Sequence, residues 1–378
     1  MTEPARLTSL PTFGSVPYFT ASIAFAIILC CASVRSEYYR ADLLPVDGDV
    51  LLAVQTVTET DMQERVDIYR RAEPGNAASI HWEVIFDKLY GVYYGAVVHK
   101  KEAFLFFENT ILVLSRQPGA GPWQWRRIPL LRPFLPEAGI SADGLLYIFG
   151  KEAKTERLAG VVYHNGVLRD LPRTTVTIPH PFFQMLAFDA GGRRFVLWRP
   201  QTAGSQLMNS SAFSTPPEYV ELLSDGRVTE KNTLSLDKEG MLNVQTTADG
   251  ESTTLLIQPS AAPESNAIGW ADINVSASGI LTSSDSVMVT PTPENHILKN
   301  AVYYSLSAVS IQDEVLVARA TERRIEFIRA DSEAPSLTFV QTTGIEEIGE
   351  RYERLLPLLA FVIMTGVFAF LALTRARR

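Results

Sequence analysis

The chain has 378 residues, of which 34 are Lys or Arg and 42 are Asp or Glu, so its formal net charge is −8. This acidic balance argues against binding to nucleic acid or to an anionic lipid surface, because both carry negative charge. The only two cysteines, Cys30 and Cys31, lie in one apolar stretch, so the rest of the chain is expected to lack disulfides and cysteine metal sites.

The first apolar stretch carries no charge from Leu7 to Val34 and is densest in apolar side chains between Tyr18 and Ser33. Two interpretations remain open for residues 16–34. They form either a signal anchor, with residues 1–15 in the cytoplasm, or a signal peptide that is cleaved after the small residues near Cys31. Both interpretations place the following part of the chain outside the cytoplasm.

The second apolar stretch, residues 355–373, has no charged side chain. As a helix it would measure about 28 Å, close to the thickness of a bilayer core. Arg375, Arg377 and Arg378 follow it, and an excess of arginine marks the cytoplasmic side. We therefore predict a transmembrane helix with a basic cytoplasmic tail at 374–378, preceded by a juxtamembrane helix at 344–354. The predicted location is the plasma (inner) membrane, with most of the chain on its extracytoplasmic face.

The region from 41 to 343 consists of short runs rich in Val, Ile, Leu, Phe and Tyr, separated by Gly, Asp, Asn and Pro, which is typical of strands and turns. A unit of short strand, turn and stronger strand recurs along it. Its turns are centred near Gly48, Lys101, Gly144, Gly192, Gly240, Gly279 and Asp313. Third strands such as "TILVLSR" and "STTLLIQP" follow most of these units.

A four-stranded unit that returns every 40–50 residues or so resembles the blade of β-propeller proteins in general. The resemblance rests on pattern and period over 41–343, without the signature of a particular family. It implies an all-β propeller of about seven blades, with six or eight as alternatives, flanked by the two apolar helices. A pair of β-sandwich domains is the alternative, although it does not explain the regular return of the turn.

Several features were examined as candidate sites. The polar stretches 201–218 and 283–296 are predicted loops, which either bind a partner or are tolerated insertions. Trp123 and Trp125 alternate on one side of a predicted strand and form a possible interaction surface. Asp47, Asp143, Asp189 and Asp237 lie beside predicted turns, where aspartate is a common turn residue, so a catalytic ring of carboxylates is the less economical interpretation.

The sequence contains no motif for nucleophilic catalysis, phosphate binding or dinucleotide binding, and its five histidines lack metal-ligand spacing. We therefore predict no catalytic residue, metal or cofactor. The predicted function is that of a non-enzymatic binding or assembly module, held to the membrane and partnered by another membrane or extracytoplasmic protein. Two alternatives remain. One is a propeller hydrolase or lyase whose carboxylates gather at the central channel, and the other is a surface protein whose C-terminal helix is a sorting signal.

Overall fold

Four-stranded antiparallel sheets make up the part of the chain that the structure, a computed structural model, describes. That part comprises residues 36–58, 64–72, 80–117, 121–130, 132–178, 182–200, 215–246, 253–259, 266–292, 303–311, 314–321, 324–331, 337–340, 342–343 and 364. Each sheet is a blade whose strands follow one another in the chain, so neighbouring strands are joined by hairpins. The strands are numbered in chain order.

The first three blades lie between Ser36 and Asp170. The first contains β1 (Ser36–Val46), β2 (Asp49–Thr58), β3 (Glu64–Arg71) and β4 (Ile80–Tyr90); the second contains β5 (Tyr93–His99), β6 (Glu102–Phe107), β7 (Thr110–Arg116) and β8 (Trp123–Pro129); the third contains β9 (Phe134–Ala142), β10 (Leu145–Glu152), β11 (Leu158–His164) and β12 (Val167–Asp170).

The last three blades lie between Phe182 and Val340. The fourth contains β13 (Phe182–Ala190), β14 (Arg193–Pro200), β15 (Glu218–Leu222) and β16 (Asn232–Thr233); the fifth contains β17 (Gly240–Thr246), β18 (Thr253–Pro259), β19 (Ile268–Val275) and β20 (Leu281–Ser283), with β21 (Val287–Val289) also paired to β19; the sixth contains β22 (Tyr303–Ile311), β23 (Glu314–Thr321), β24 (Ile325–Asp331) and β25 (Leu337–Val340).

The first strands of the blades form the innermost ring. In order around the ring, β1 contacts β5, β5 contacts β9, β9 contacts β13, β13 contacts β17, β17 contacts β22, and β22 contacts β1. A short final strand, β26 (Thr342–Thr343), pairs in parallel with Ile80 and His81 at the start of β4, the outermost strand of the first blade. The described residues therefore form a closed six-bladed propeller around a central channel.

The core consists of layers between consecutive blades, because each sheet packs on both of its faces. Phe104 and Phe106 of the second blade, for example, pack against Ile148 of the third. The middle strands are accordingly continuous apolar runs; in β6 every residue after the first is buried, whereas every residue of the outermost β8 is at least partly exposed. The sixth and first blades meet through Trp82 and Phe327, whose ring centroids are 5.1 Å apart.

The propeller predicted from the sequence is confirmed, but the number of blades within the described residues is six and the predicted seven is wrong. Gly240 and Gly279 were assigned to separate blades, and the structure places both in the fifth. Gly240 begins β17, and Gly279 lies in the turn between β19 and β20. The pair of β-sandwich domains is excluded by the same ring of strands.

The predicted segments 1–15, 16–34, 344–354, 355–373 and 374–378 fall outside the described residues, apart from Met364. Arg375, Arg377 and Arg378, which were expected to set the topology, fall there too. Among the residues that are described, no helix has the length and apolar character needed to cross a bilayer. The membrane segments stay a prediction.

Candidate functional site at one end of the channel

The two ends of the channel differ in the elements that surround them. The turns between first and second strands, at Asp47–Gly48, Lys100–Lys101 and Asp143–Gly144, lie at one end, which we call the turn face. The first strands begin at the other end, the entry face, and the turns between second and third strands, such as Glu108–Asn109, lie there as well. Alternation of strand direction within each antiparallel blade requires this arrangement.

A β-bulge near the entry face recurs in the first strands. In five of the six described blades, one residue of the first strand has no pairing partner on the second strand; these residues are Tyr39, Tyr94, Glu137, Phe183 and Tyr304. A bulge re-aims the extra side chain and is common beside binding sites. Four of the bulged residues are aromatic, and the third blade alone has a carboxyl group at this position.

In the first, fourth and sixth blades, the residue that follows the bulge ties its blade to the next one. The Arg40 guanidinium donates to the Tyr94 carbonyl, the Gln184 amide exchanges hydrogen bonds with the backbone N–H and carbonyl of Leu242, and Ser305 accepts from the N–H of Ala41 at 3.0 Å. These bonds satisfy backbone groups on the channel-facing edges of the first strands, which have no neighbouring strand.

The Arg40 side chain is fixed from several sides. Its Nε lies 2.7 Å from Asp42 Oδ2, the Tyr93 hydroxyl donates to the same oxygen at 2.7 Å, and the Tyr93 ring centroid lies 5.6 Å from the guanidinium carbon. Burial lowers the pKa of Arg40, but Asp42, Tyr93 and Glu137 outweigh it and raise that pKa overall. Burial, together with Asp42, raises the pKa of Tyr93. Arg40 is therefore a permanent cation beside a neutral tyrosine.

Glu137, the bulged residue of β9, is a partly buried carboxyl group that makes no hydrogen bond with the described residues. Burial raises its pKa to about 8, although the positive charges of Arg40 and Lys151 act in the opposite direction. Burial also lowers the pKa of Lys151, and Glu156 and Glu137 oppose that effect. Glu137 is thus largely protonated at neutral pH and has a proton to donate.

Carboxyl groups from three blades surround the hydroxyl of Tyr94. Burial raises the pKa of Tyr94 to about 12, and the nearby charges of Glu108, Glu137 and Glu64 add to the effect. Glu64, at the start of β3, accepts a hydrogen bond of 2.7 Å from Gln55 Nε2, and burial raises the pKa of Glu64 as well. The entry face therefore combines one fixed cation, one protonated acid and further carboxyl groups, which is a set suited to acid–base chemistry.

Close approach of the first three blades demands a glycine at position 95. A Cβ atom on Gly95 would lie 2.7 Å from the Glu137 carbonyl oxygen and 2.9 Å from Arg40 Nη2. Gly150, which faces Pro136 beside the bulge, is tighter still, because a Cβ atom there would lie 1.7 Å from the Leu135 carbonyl oxygen. These two glycines let the backbone position Arg40 and Glu137 within the same part of the channel.

The four aspartates weighed from the sequence do not form one cluster, although Asp143 and Asp189 both lie near Arg194. Asp47 pairs with Lys101 Nζ at 2.8 Å, Asp143 pairs with Arg194, and Asp237 accepts from the N–H of Ser286 at 3.0 Å. Asp189 accepts from the Gly192 backbone, and burial raises the pKa of its carboxyl. They therefore act as turn and ion-pair residues. Asp47, Asp143 and Asp189 lie at the turn face, whereas Asp237 lies just before β17 and is bound by Ser286, between β20 and β21. Within the described part of the chain no group of three metal-ligating side chains occurs.

Trp123 and Trp125 lie on β8, the outermost strand of the second blade, away from the channel. Trp123 is partly buried against the core between the first and second blades. Trp125 has 44% of its surface exposed, and the Arg127 guanidinium carbon lies 5.3 Å from its ring centroid. Only Trp125 thus presents a ring to solvent, and the interaction surface proposed for the pair stays a prediction. Of the loop 201–218, residues 201–214 fall outside the described residues.

Arg40, Tyr94 and Glu137 were not among the site residues predicted from the sequence. A signal was available for their position, because adjacent aromatic residues recur at the bulge: Tyr38–Tyr39, Tyr93–Tyr94, Phe182–Phe183 and Tyr303–Tyr304. The pair marks the start of a first strand in four blades. Glu137 has no adjacent aromatic residue, so its position can be recognised only by aligning the third blade with the other blades.

Comparison with known proteins returned no matching family model and no matching curated protein. Solved structures do match. A GH43_1 enzyme from Xanthomonas citri complexed with xylotriose is 12% identical over 85% of this chain and 97% of its own, with a TM-score of 0.40. A puromycin hydrolase is 14% identical over 83% of this chain and 55% of its own, with a TM-score of 0.45. A xylan β-1,4-xylosidase from Bacillus halodurans C-125 is 13% identical over 84% and 57%, with a TM-score of 0.42.

The prediction of a non-enzymatic binding module is corrected, because the matching structures named above are enzymes. The alternative of a propeller hydrolase or lyase remains, as a proposal. Similarity at this level assigns neither activity nor substrate to this chain, and no family is shown. A function for this chain is therefore proposed from the residues of the entry face.

Proposed function

We propose that this chain is a propeller hydrolase or lyase whose active site is the entry face of the channel, with Glu137 as the general acid. The observation that carries the proposal is a carboxyl group that a bulge directs away from the strand pairing, without a hydrogen-bond partner among the described residues and with a pKa raised to about 8. Such a group is protonated at neutral pH and is poised to donate to a leaving oxygen.

Loss of that proton leaves a carboxylate between two cationic groups. Arg40 and Lys151 both favour the charged form of Glu137, since each lowers its pKa against the larger effect of burial. Arg40 cannot move toward the substrate, because Asp42 and the Tyr94 carbonyl hold its guanidinium. Its role is to stabilise the negative charge that develops on Glu137 as the proton leaves.

The second carboxyl group in the mechanism is Glu64. It lies near Tyr94 on the entry face, its Oε2 accepts from Gln55, and it is partly buried. As a carboxylate it would take a proton from an attacking water in a hydrolase, or from the substrate carbon in a lyase. Glu108 is exposed in the turn between β6 and β7, and its carboxyl group accepts no comparable hydrogen bond from the described residues. The substrate class that fits this acid and base is one with an oxygen leaving group, such as a glycoside or a lactone.

The test is turnover of aryl glycosides and lactones by the full chain and by Glu137→Gln. We expect kcat to fall on the order of 100-fold or more in the variant, because the general acid is lost. For the unaltered chain, kcat/KM should decline as the pH rises through about 8, where Glu137 loses its proton. Glu230→Gln, at an exposed position on the fourth blade, is the matched control.

Three results would reject the proposal. Absence of turnover across the panel by the unaltered chain is one, and equal activity of Glu137→Gln is the second. The third is a decline in kcat/KM that keeps its position on the pH axis when Glu137 is replaced. Glu64→Gln and Glu108→Gln then separate the two candidate bases, and we expect only the first to lower kcat strongly.

A further inference from the structure

A pocket of about 160 Å³ lies on the third blade, at its entry face but outside the channel. Apolar and polar side chains both line it, and the polar ones are Arg132, Arg157, Arg173, Thr155, Thr174 and Glu152. Three arginines in one small pocket are unexpected in a chain with a net charge of −8. Neither Glu137 nor Arg40, the acid and the cation of the channel, lines this pocket.

The pocket is built by the segment that follows β12. This segment continues beside β11, with hydrogen bonds of 2.9 Å from Leu171 N to the Gly160 carbonyl and 2.9 Å from Leu158 N to the Val176 carbonyl. Residues 172–175 lie between these two bonds and form one wall. The turn between β10 and β11 forms the opposite wall, and its position is set by the 2.7 Å bond from Ile178 N to the Glu156 carbonyl.

The three arginines differ in what already holds them. Arg132 is fixed, because its Nη2 donates to the Gly160 carbonyl at 3.1 Å and its Nε lies 3.1 Å from Asp170 Oδ1. Arg157 and Arg173 are exposed, and neither side chain has a hydrogen bond or ion pair with the described residues. Two guanidinium groups with unused donors thus flank a third that is locked in place.

The remaining polar groups limit the kind of ligand. Thr155 Oγ1 donates to the Glu152 carboxylate, so its proton is already used. Thr174 Oγ1 accepts from Val176 N at 2.9 Å, which leaves its own proton available to a ligand. Glu152 is the single carboxylate in the lining, so positive charge is in excess and an anion is favoured over a cation.

We propose that this pocket binds a tetrahedral oxyanion, the phosphate or sulfate group of a small molecule or of a larger ligand. Arg157 and Arg173 donate to its oxygens, and Thr174 supplies a further donor. A volume of about 160 Å³ corresponds to roughly five water molecules. This space admits one such group, and the rest of a larger ligand would extend into solvent.

The test is calorimetric titration of the full chain with inorganic phosphate, sulfate and acetate at constant ionic strength. We expect saturable binding of phosphate and sulfate, weaker binding of acetate, and a loss of about tenfold or more in affinity in Arg157→Gln/Arg173→Gln. Arg127→Gln/Arg227→Gln removes the same charge from the second and fourth blades and should bind as the unaltered chain does. Thr174→Val, which keeps every charge, should weaken binding several-fold.

Four results would overturn the assignment. They are absence of saturable binding, equal binding by Arg157→Gln/Arg173→Gln, an equal loss in the control pair, and acetate binding as tightly as the tetrahedral anions. Circular dichroism confirms that the variants are folded, and because both replaced arginines are exposed, their loss leaves the core intact. The relative affinities of phosphate and sulfate identify which of the two groups the pocket favours. The result is independent of Glu137.

Discussion

Arg319 Nη2 lies 2.6 Å from Glu326 Oε2, and both side chains are fully excluded from solvent. The pair joins β23 and β24 of the sixth blade and reaches into the fifth, because Arg319 Nη1 donates to Gln258 Oε1 at 2.9 Å. The guanidinium carbon also lies 4.2 Å from the Tyr303 ring centroid, and Arg324 Nη2 lies 2.7 Å from the other oxygen of Glu326. One carboxylate thus organises two arginines at the contact between two blades.

Replacing Arg319 by Met should lower the free energy of unfolding by about 3–5 kcal/mol, because the buried Glu326 carboxylate loses its fully buried cation and keeps Arg324 and the Tyr303 hydroxyl. In Arg319→Met/Glu326→Leu the loss should be smaller, since no charge of the pair is left fully buried and Arg324, which loses Glu326, is partly exposed. Urea unfolding measures both. Arg227→Met, at an exposed pair with Asp225, should change stability by less than about 0.5 kcal/mol. If the double variant were the less stable of the two, desolvation would not be the cause.

Protonation of Glu137 should make stability fall as the pH rises. Its pKa is about 8 in the folded chain against an ordinary value of 4.5, so the folded state holds a proton that the unfolded state has released between these values. The contribution of Glu137 to stability is therefore complete below about pH 4.5. It decreases as the pH rises to about 8, by about 1.4 kcal/mol for each pH unit. Urea unfolding of the unaltered chain and Glu137→Gln between pH 5 and 7.5 measures the difference between the two. Parallel curves would show that Glu137 titrates normally.

Gly150→Ala should destabilise the third blade and displace the bulge, because the added Cβ would lie 1.7 Å from the Leu135 carbonyl oxygen, which is backbone. We expect a loss of about 2–4 kcal/mol in unfolding free energy. The dependence of stability on Glu137 protonation should shrink as well. Gly144→Ala is the control, since its Cβ would meet no atom within 4 Å, and only its positive φ of 74° is unfavourable. Equal losses in the two variants would contradict the steric explanation.

Gln184→Leu should expose the inner edge of β17. The side chain of Gln184 accepts from Leu242 N at 2.9 Å and donates to the Leu242 carbonyl, so the variant leaves two backbone groups unpaired. We expect a loss of about 1–3 kcal/mol and faster hydrogen exchange of the Leu242 amide. Gln124→Leu, on the exposed outer strand β8, should leave that exchange rate unchanged. Unaltered exchange in Gln184→Leu would show that another group protects this edge.

The strands could be predicted from the sequence because the turn chemistry is local. Asp47–Gly48 and Asp143–Gly144 adopt the positive φ angles that these residue types tolerate, and their turns are where the pattern places them. The predicted number of blades was wrong because glycine is required for different reasons at different places in a blade. Gly279, with φ of 82°, closes a turn between a third and a fourth strand, and Gly240 is a glycine because the Gln258 carbonyl oxygen would lie 2.1 Å from a Cβ atom.

The site could not be predicted in the same way, because no local segment contains it. Arg40, Glu64, Tyr94 and Glu137 come from three blades, and only closure of the ring brings them to one end of the channel. The raised pKa of Glu137 depends on burial between blades, which residue type alone does not reveal. The aspartates were conspicuous in the sequence because of their glycine neighbours, and that same local role explains why they lie outside the site.

The pairing of Thr342 and Thr343 with Ile80 and His81 has a consequence for biosynthesis. The ribosome makes the first blade first, yet the outermost strand of that blade receives its final neighbour only when residue 343 has emerged. β1 likewise lacks β22 until the sixth blade has been synthesised, and the apolar face that this blade later covers stays exposed up to that point. We therefore expect a chain whose synthesis stops in the sixth blade to expose this apolar face and to aggregate.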